Sequence, residues 1–132
     1  MCIFCDIANK KIPSKIIYED SYTLAFLDLS PVNPGHTLII PKKHFENVLD
    51  LDEEYAEHLG KAIVKVTNLL KTKLNVKNLN VINNSGKLSG QTVMHLHFHL
   101  IPRKENDNLV INFNESNAKE EDLIRVYEQL TN

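Results

Sequence analysis

Six consecutive residues, His95-Leu96-His97-Phe98-His99-Leu100, alternate an imidazole with an apolar side chain. In an extended backbone a period of two puts the three imidazoles on one face and Leu96, Phe98 and Leu100 on the other. The chain has six histidines, and half of them fall within these few positions, so the cluster is read as functional. Three adjacent imidazoles repel one another if all are protonated, and the array is sound when some are neutral, metal-bound or facing an anion. Two chemistries fit. The rings could ligate one catalytic zinc that keeps a water in its fourth position. Alternatively, one ring acts as nucleophile or general acid toward a phosphate while the others hold its oxygens. The preceding loop, Asn83-Asn84-Ser85-Gly86 and then Gly90-Gln91-Thr92, favours the second, because small residues, free backbone N–H groups and a hydroxyl suit an oxyanion.

A second metal-capable pair, Cys2 and Cys5, opens the chain. Two thiols make half of a tetrahedral zinc site, so the pair needs two further ligands from elsewhere. With no basic segment or long apolar stretch of the secretory kind around them, the thiols are expected to be reduced and the cytoplasm is the expected compartment.

These residues need a scaffold, and the pattern supplies one. Ile16–Tyr18 and Thr23–Leu27 read as a hairpin around the polar turn Glu19-Asp20-Ser21. The turn-rich Ser30–Gly35 stretch leads into a third strand, Thr37–Ile40. Leu59, Ile63, Val66, Leu70 and Leu74 recur at helical spacing, and Asp50 with Glu53 has the spacing of a capping box, which predicts one long helix. Leu79–Asn83 and Thr92–Pro102 read as antiparallel neighbouring strands. Asn117 and Glu120 are placed to start a helix carrying Leu123, Val126, Tyr127 and Leu130. Hairpins around one long helix predict an α+β domain rather than alternating βαβ units.

Composition narrows the partners. With 132 residues, 42% hydrophobic and 24% charged, one domain with its own core is expected. A net charge of −2 offers no field for a nucleic-acid polymer. No apolar run approaches the roughly 20 residues of a membrane helix.

The segment HLHFHLI at His95–Ile101 fits an H-x-H-x-H-x-x pattern and resembles the histidine-triad (HIT) family. The likeness extends through CIFCDIANKKIPSKIIYED, LAFLDLSPVNPGHTLIIPKKHF and NVINNSGKLSGQTVMHLHFHLIPR, in the family's order, over most of residues 2–103. It implies a single HIT-like domain over residues 1–132. That domain would have a mostly antiparallel five-stranded sheet, one long helix, a C-terminal helix and a variable tail from 104 to 132. It also implies a homodimer whose sheets join across a two-fold axis, acting on a purine nucleotide conjugate in the manner of the nucleoside phosphoramidase (Hint-like) branch.

By the resemblance, His97 attacks the α-phosphorus and forms a nucleotidyl-histidine that water cleaves to release a nucleoside monophosphate, with His99 at the α-phosphate. Asn83, Gly90, Gln91 and Thr92 match phosphate-contacting positions. Asp28 matches an acceptor for the ribose hydroxyls, and Ile3, Phe4, Ile7, Phe26 and Leu29 match the nucleoside pocket. Some members hold a structural zinc, here on Cys2, Cys5, His44 and His95, with no catalytic metal required. That assignment leaves His97 and His99 for phosphate chemistry. The same nucleophile would serve a dinucleoside polyphosphate hydrolase, and a non-catalytic nucleotide- or partner-binding module is the reading from a different class. No role is expected for His36 or His58.

Overall fold

The structure is a computed structural model and describes residues 2–132. Its elements run α1 (Ile3–Ala8), β1 (Ile16–Glu19), β2 (Thr23–Leu27), β3 (Thr37–Pro41), α2 (Glu53–Leu74), β4 (Leu79–Ile82), β5 (Phe98–Pro102) and α3 (Glu120–Thr131). The five strands form one antiparallel sheet in the order β1-β2-β3-β5-β4. The expected α+β architecture, the β1–β2 hairpin and the antiparallel β4–β5 pair are all present.

The sheet is covered differently on its two faces. Leu59, Ala62, Val66 and Leu70 of α2 pack on Ala25 of β2, Ile39 of β3, and Leu96 and Leu100. Phe4, Ile7 and Ala8 of α1 pack on the opposite face, against Leu24, Phe26, Leu38 and Ile40. Burial on both sides is why β2 and β3 read as continuous apolar runs rather than as polar–apolar alternation. Among the described residues no helix is long and apolar enough to cross a membrane.

Local structure departs from the sequence pattern in four places. The N-cap of α2 is Asp52, whose carboxylate accepts the Tyr55 N–H at 2.8 Å. Asp50 instead closes a separate capping box with Asn47 around a 3₁₀ turn at Val48–Asp50. The helix α1 was not expected. With six residues it shows no period, and it starts on a sulfur cap in which Cys2 Sγ accepts the Cys5 N–H at 3.2 Å. The expected strand Thr92–Pro102 enters the sheet only at Phe98. Before that point the Leu96 N–H donates to the Phe45 carbonyl, at 2.7 Å, instead of to a ladder partner. Finally, α3 starts at Glu120 behind Lys119, with no side-chain cap from Asn117.

The β2–β3 connection turns on Gly35. Its φ is +90°, which strains any side chain, and an added Cβ would also press on Leu74 Cδ1 at 3.0 Å, so this turn favours glycine.

Leu96 is fully buried between the histidines' backbone and α2. Leu96→Ala is expected to cost about 3 kcal/mol in urea unfolding. Leu88→Ala, at a fully exposed side chain, should stay within about 0.5 kcal/mol of the parent. A Leu96→Ala loss no larger than the Leu88→Ala loss would show that this core is not continuous.

Candidate functional site

The face of the sheet that α2 leaves uncovered carries a cleft of about 310 Å³. Its apolar wall comes from Ile3, Phe4 and Ile7 of α1 and from Phe26 of β2, and its rim from Asp28, Leu29, Gly90 and Thr92. His97 and His99 form its end. A second depression, of about 450 Å³, lies between Asn33, Leu74 and Arg103 and contains no histidine or cysteine.

The imidazoles follow the period of two although only His99 is in the strand. Leu96 and Leu100 are in the α2 core, with Phe98 packed against it, while His97 and His99 line the cleft, 5.0 Å apart between ring centroids. Hydrogen bonding sets their tautomers. His97 Nδ1 lies 2.8 Å from the His95 carbonyl, which can only accept, so Nδ1 carries the proton and Nε2 keeps a free lone pair.

His99 is set the other way, by a residue not expected to take part. His36 Nδ1 accepts the Val32 N–H at 3.1 Å, so its proton sits on Nε2, which donates to His99 Nδ1 at 2.9 Å. The proton of a neutral His99 is therefore on Nε2. Burial, reinforced by His97 and His36, lowers the His99 pKa to about 4, so it offers an N–H at neutral pH without bearing charge. Asp28 stands close behind, with Oδ2 3.6 Å from His36 Nε2. Its Oδ1 accepts the Ser30 N–H at 2.8 Å, so Asp28 both caps the Pro-rich turn and lines the cleft.

Two residues expected at the phosphate do other work. Asn83 and Gln91 do not line the cleft. Asn83 Nδ2 donates to the His97 carbonyl at 3.0 Å, bracing the backbone that carries His97. The buried Gln91 amide donates to the carbonyls of Glu46 and Val93, at 2.7 and 3.0 Å. Its oxygen accepts from the Gly86 N–H and Asn47 Nδ2, at 2.8 and 3.2 Å. Gly90, at φ +102°, and Thr92 reach the cleft as expected. So does Asn84, which sequence reading placed in the loop without singling it out; an amide beside a histidine strand was the one available signal. His36 had no local signal.

Next to the cleft, Cys2, Cys5, His44 and His95 bring their donor atoms within 4.8 Å of one another. Each sulfur is 3.2 to 3.4 Å from an imidazole Nδ1, and the two Nδ1 atoms are 3.1 Å apart. His95 Nε2 donates to the Pro41 carbonyl at 3.0 Å. This places the free lone pair on Nδ1, toward the sulfurs, as a metal ligand requires. Two thiols and two correctly oriented imidazoles fit a closed tetrahedral zinc.

A family model described as "HIT domain" matches residues 9–106. An uncharacterised HIT-like protein of Methanocaldococcus jannaschii is 45% identical over 98% of both chains. An adenosine 5′-monophosphoramidase of Candida albicans is 38% identical over 79% of this chain and 71% of that protein. The crystal structure of a HIT family member from Bacillus subtilis superposes with a TM-score of 0.92 at 39% identity, covering 98% of this chain and 94% of that one. Sequence and fold agree, and the chain belongs to the histidine-triad (HIT) family.

Proposed function

We propose that this protein hydrolyses nucleoside 5′-phosphoramidates or related nucleotidyl conjugates at the α-phosphate, with His97 as the nucleophile. The observation that carries this reading is the complementary pair of tautomers: an imidazole with a bare Nε2 beside one with a protonated Nε2. The Nε2 lone pair of His97 forms the bond to phosphorus as the P–N bond to the leaving amine breaks; the His99 Nε2–H hydrogen-bonds the α-phosphate or the bridging nitrogen, and the departing amine takes its proton from solvent. Water then forms a P–O bond as the P–Nε2 bond breaks, its proton passes to solvent, and His97 is restored with its proton on Nδ1. Thr92 and the Asn84 amide, which line the cleft with His97 and His99, receive the phosphate oxygens. Asp28 receives the ribose hydroxyls, and Ile3, Phe4, Ile7, Phe26 and Leu29 enclose a purine. A relative that is an adenosine 5′-monophosphoramidase supports the substrate class.

In this reading Cys2, Cys5, His44 and His95 hold a zinc that ties α1 to the sheet; when bound it supplies cross-linking only, since four protein ligands close it to water. Burial and the neighbouring Cys2 push the Cys5 thiol up to about 11 without metal, so binding releases protons and weakens toward acid pH. Reduced thiols suit the cytoplasm. Two copies join at β4, the sheet edge whose Val81 is half-exposed and which pairs only with β5.

His97→Ala is expected to lower turnover of adenosine 5′-phosphoramidate by at least about 10³-fold while nucleoside monophosphate still binds. Turnover that survives the substitution would remove His97 as nucleophile, and preference for a dinucleoside polyphosphate would move the substrate class. Purified protein should contain one zinc per chain, and chelation or Cys2→Ser with Cys5→Ser should lower the Tm by at least about 4 °C. An unchanged Tm after metal removal would refute the structural role. In an NMR titration the His99 ring should keep its neutral shifts to near pH 5, with a midpoint at about 4. Between that value and the ordinary imidazole range the unfolded chain binds more protons, so acidification across this window destabilises the fold. A His99 midpoint near 6.5 would contradict the buried, neutral donor.

A further inference from the structure

Beyond Leu109 the chain leaves its own domain. Arg103 fixes the point of departure: Nε and Nη2 donate to the Asp107 carboxylate at 2.8 and 2.9 Å, Nη1 donates to Asn80 of β4 at 2.6 Å, and Nη2 also reaches the Leu109 carbonyl. From Val110 to Asn132 every residue is exposed, and α3 buries none of its side chains. Yet this is not the composition of a solvated tail. Leu123, Tyr127 and Leu130 recur at helical spacing on one face of α3 and are 58%, 66% and 80% exposed, and Phe113 in the connecting stretch is 82% exposed. A helix of 12 residues is too short to be stable alone in water, so a surface outside the domain must hold it. The Bacillus subtilis structure superposes over nearly the whole chain, arm included, so the arm's course is shared with a relative although nothing in its own domain fixes it.

We infer that residues Val110–Asn132 are an exchange arm, and that the Leu123–Tyr127–Leu130 face of α3 docks on the outer face of α2 in a second copy of this chain. This rests on the joining of two copies at β4 proposed above. Three observations select a second copy as the occupant. The arm departs beside β4, held to Asn80, so a copy joined at that edge is within reach. The charges complement. Against Arg125, which pairs with Asp122, α3 carries Glu120, Glu121, Asp122 and Glu128, whereas α2 from Lys61 to Leu74 carries Lys61, Lys65, Lys71 and Lys73 and no acidic residue. Between those lysines Val64 is 60% exposed, and Gly60, one turn before it, has nothing within 4 Å of an added Cβ. That leaves an apolar, low-relief seat for a second helix.

The test equilibrates ¹⁵N-labelled and unlabelled full-length chains and treats them with a short lysine-reactive cross-linker. Cross-links from Lys119 to Lys61 or Lys65 are expected in heavy–light pairs about as often as in like pairs. No heavy–light Lys119 pairs, whether like pairs replace them or none form, would overturn the exchange. In parallel, Leu123→Asp with Tyr127→Asp should raise the dimer Kd by about tenfold or more in sedimentation, with amide protection of α2 intact as the check on folding. A wild-type chain that is monomeric at about 100 µM would fail the pairing at β4 and the arm with it. A dimer whose Kd ignores both substitutions would fail the arm alone.

Discussion

The backbone from His95 to Leu100 divides the molecule's two tasks. Its period of two sends Leu96, Phe98 and Leu100 into the core under α2 and the imidazoles to the opposite side. A slip of one residue would bury three imidazoles in an apolar core and expose the leucines, at a cost no surface contact recovers. The core therefore specifies the site: Leu96 and Leu100 have no exposure at all, and their burial holds the histidine backbone where side-chain hydrogen bonds alone would not.

The rest of the site is tied to that backbone by bonds that each serve two purposes. The His95 carbonyl sets the His97 tautomer, while the His95 ring turns its free nitrogen toward Cys2 and Cys5. Cys2 caps α1 and Cys5 lies within it, and Phe4 of the same helix stands edge-on to His97 at 5.1 Å and walls the cleft. The cysteine–histidine cluster, the apolar wall of the cleft and His97 are thus mechanically one unit.

On the other side, His36 and His99 sit at the β3–β5 junction, where Leu38 pairs with His99. Desolvation lowers both imidazoles below their ordinary range, with Asp28 opposing it for each. A neutral donor reached through a second imidazole presents an N–H to the cleft without placing a cation beside His97.

What the sequence determined alone was whatever depends on local period and chemical type: the shared face of the histidines, the long helix, the hairpin and the two-sided burial of β3. Near neighbours in the chain dictate these, and the structure agrees with them. What only the tertiary structure decided were contacts between residues far apart in the chain. His36 meets His99 through strand register, across 63 positions, and no pattern around His36 announces it. Asn83 and Gln91 look like ligand contacts by type, yet they brace backbone, because the carbonyls of His97, Glu46 and Val93 that fold against them need donors. The α2 cap passed from Asp50 to Asp52 because Asn47 claimed Asp50 for another turn. The period of α3 was legible, but not the absence of any surface for it within its own domain. Amphipathicity says that a face must be buried and leaves to the assembled structure what buries it.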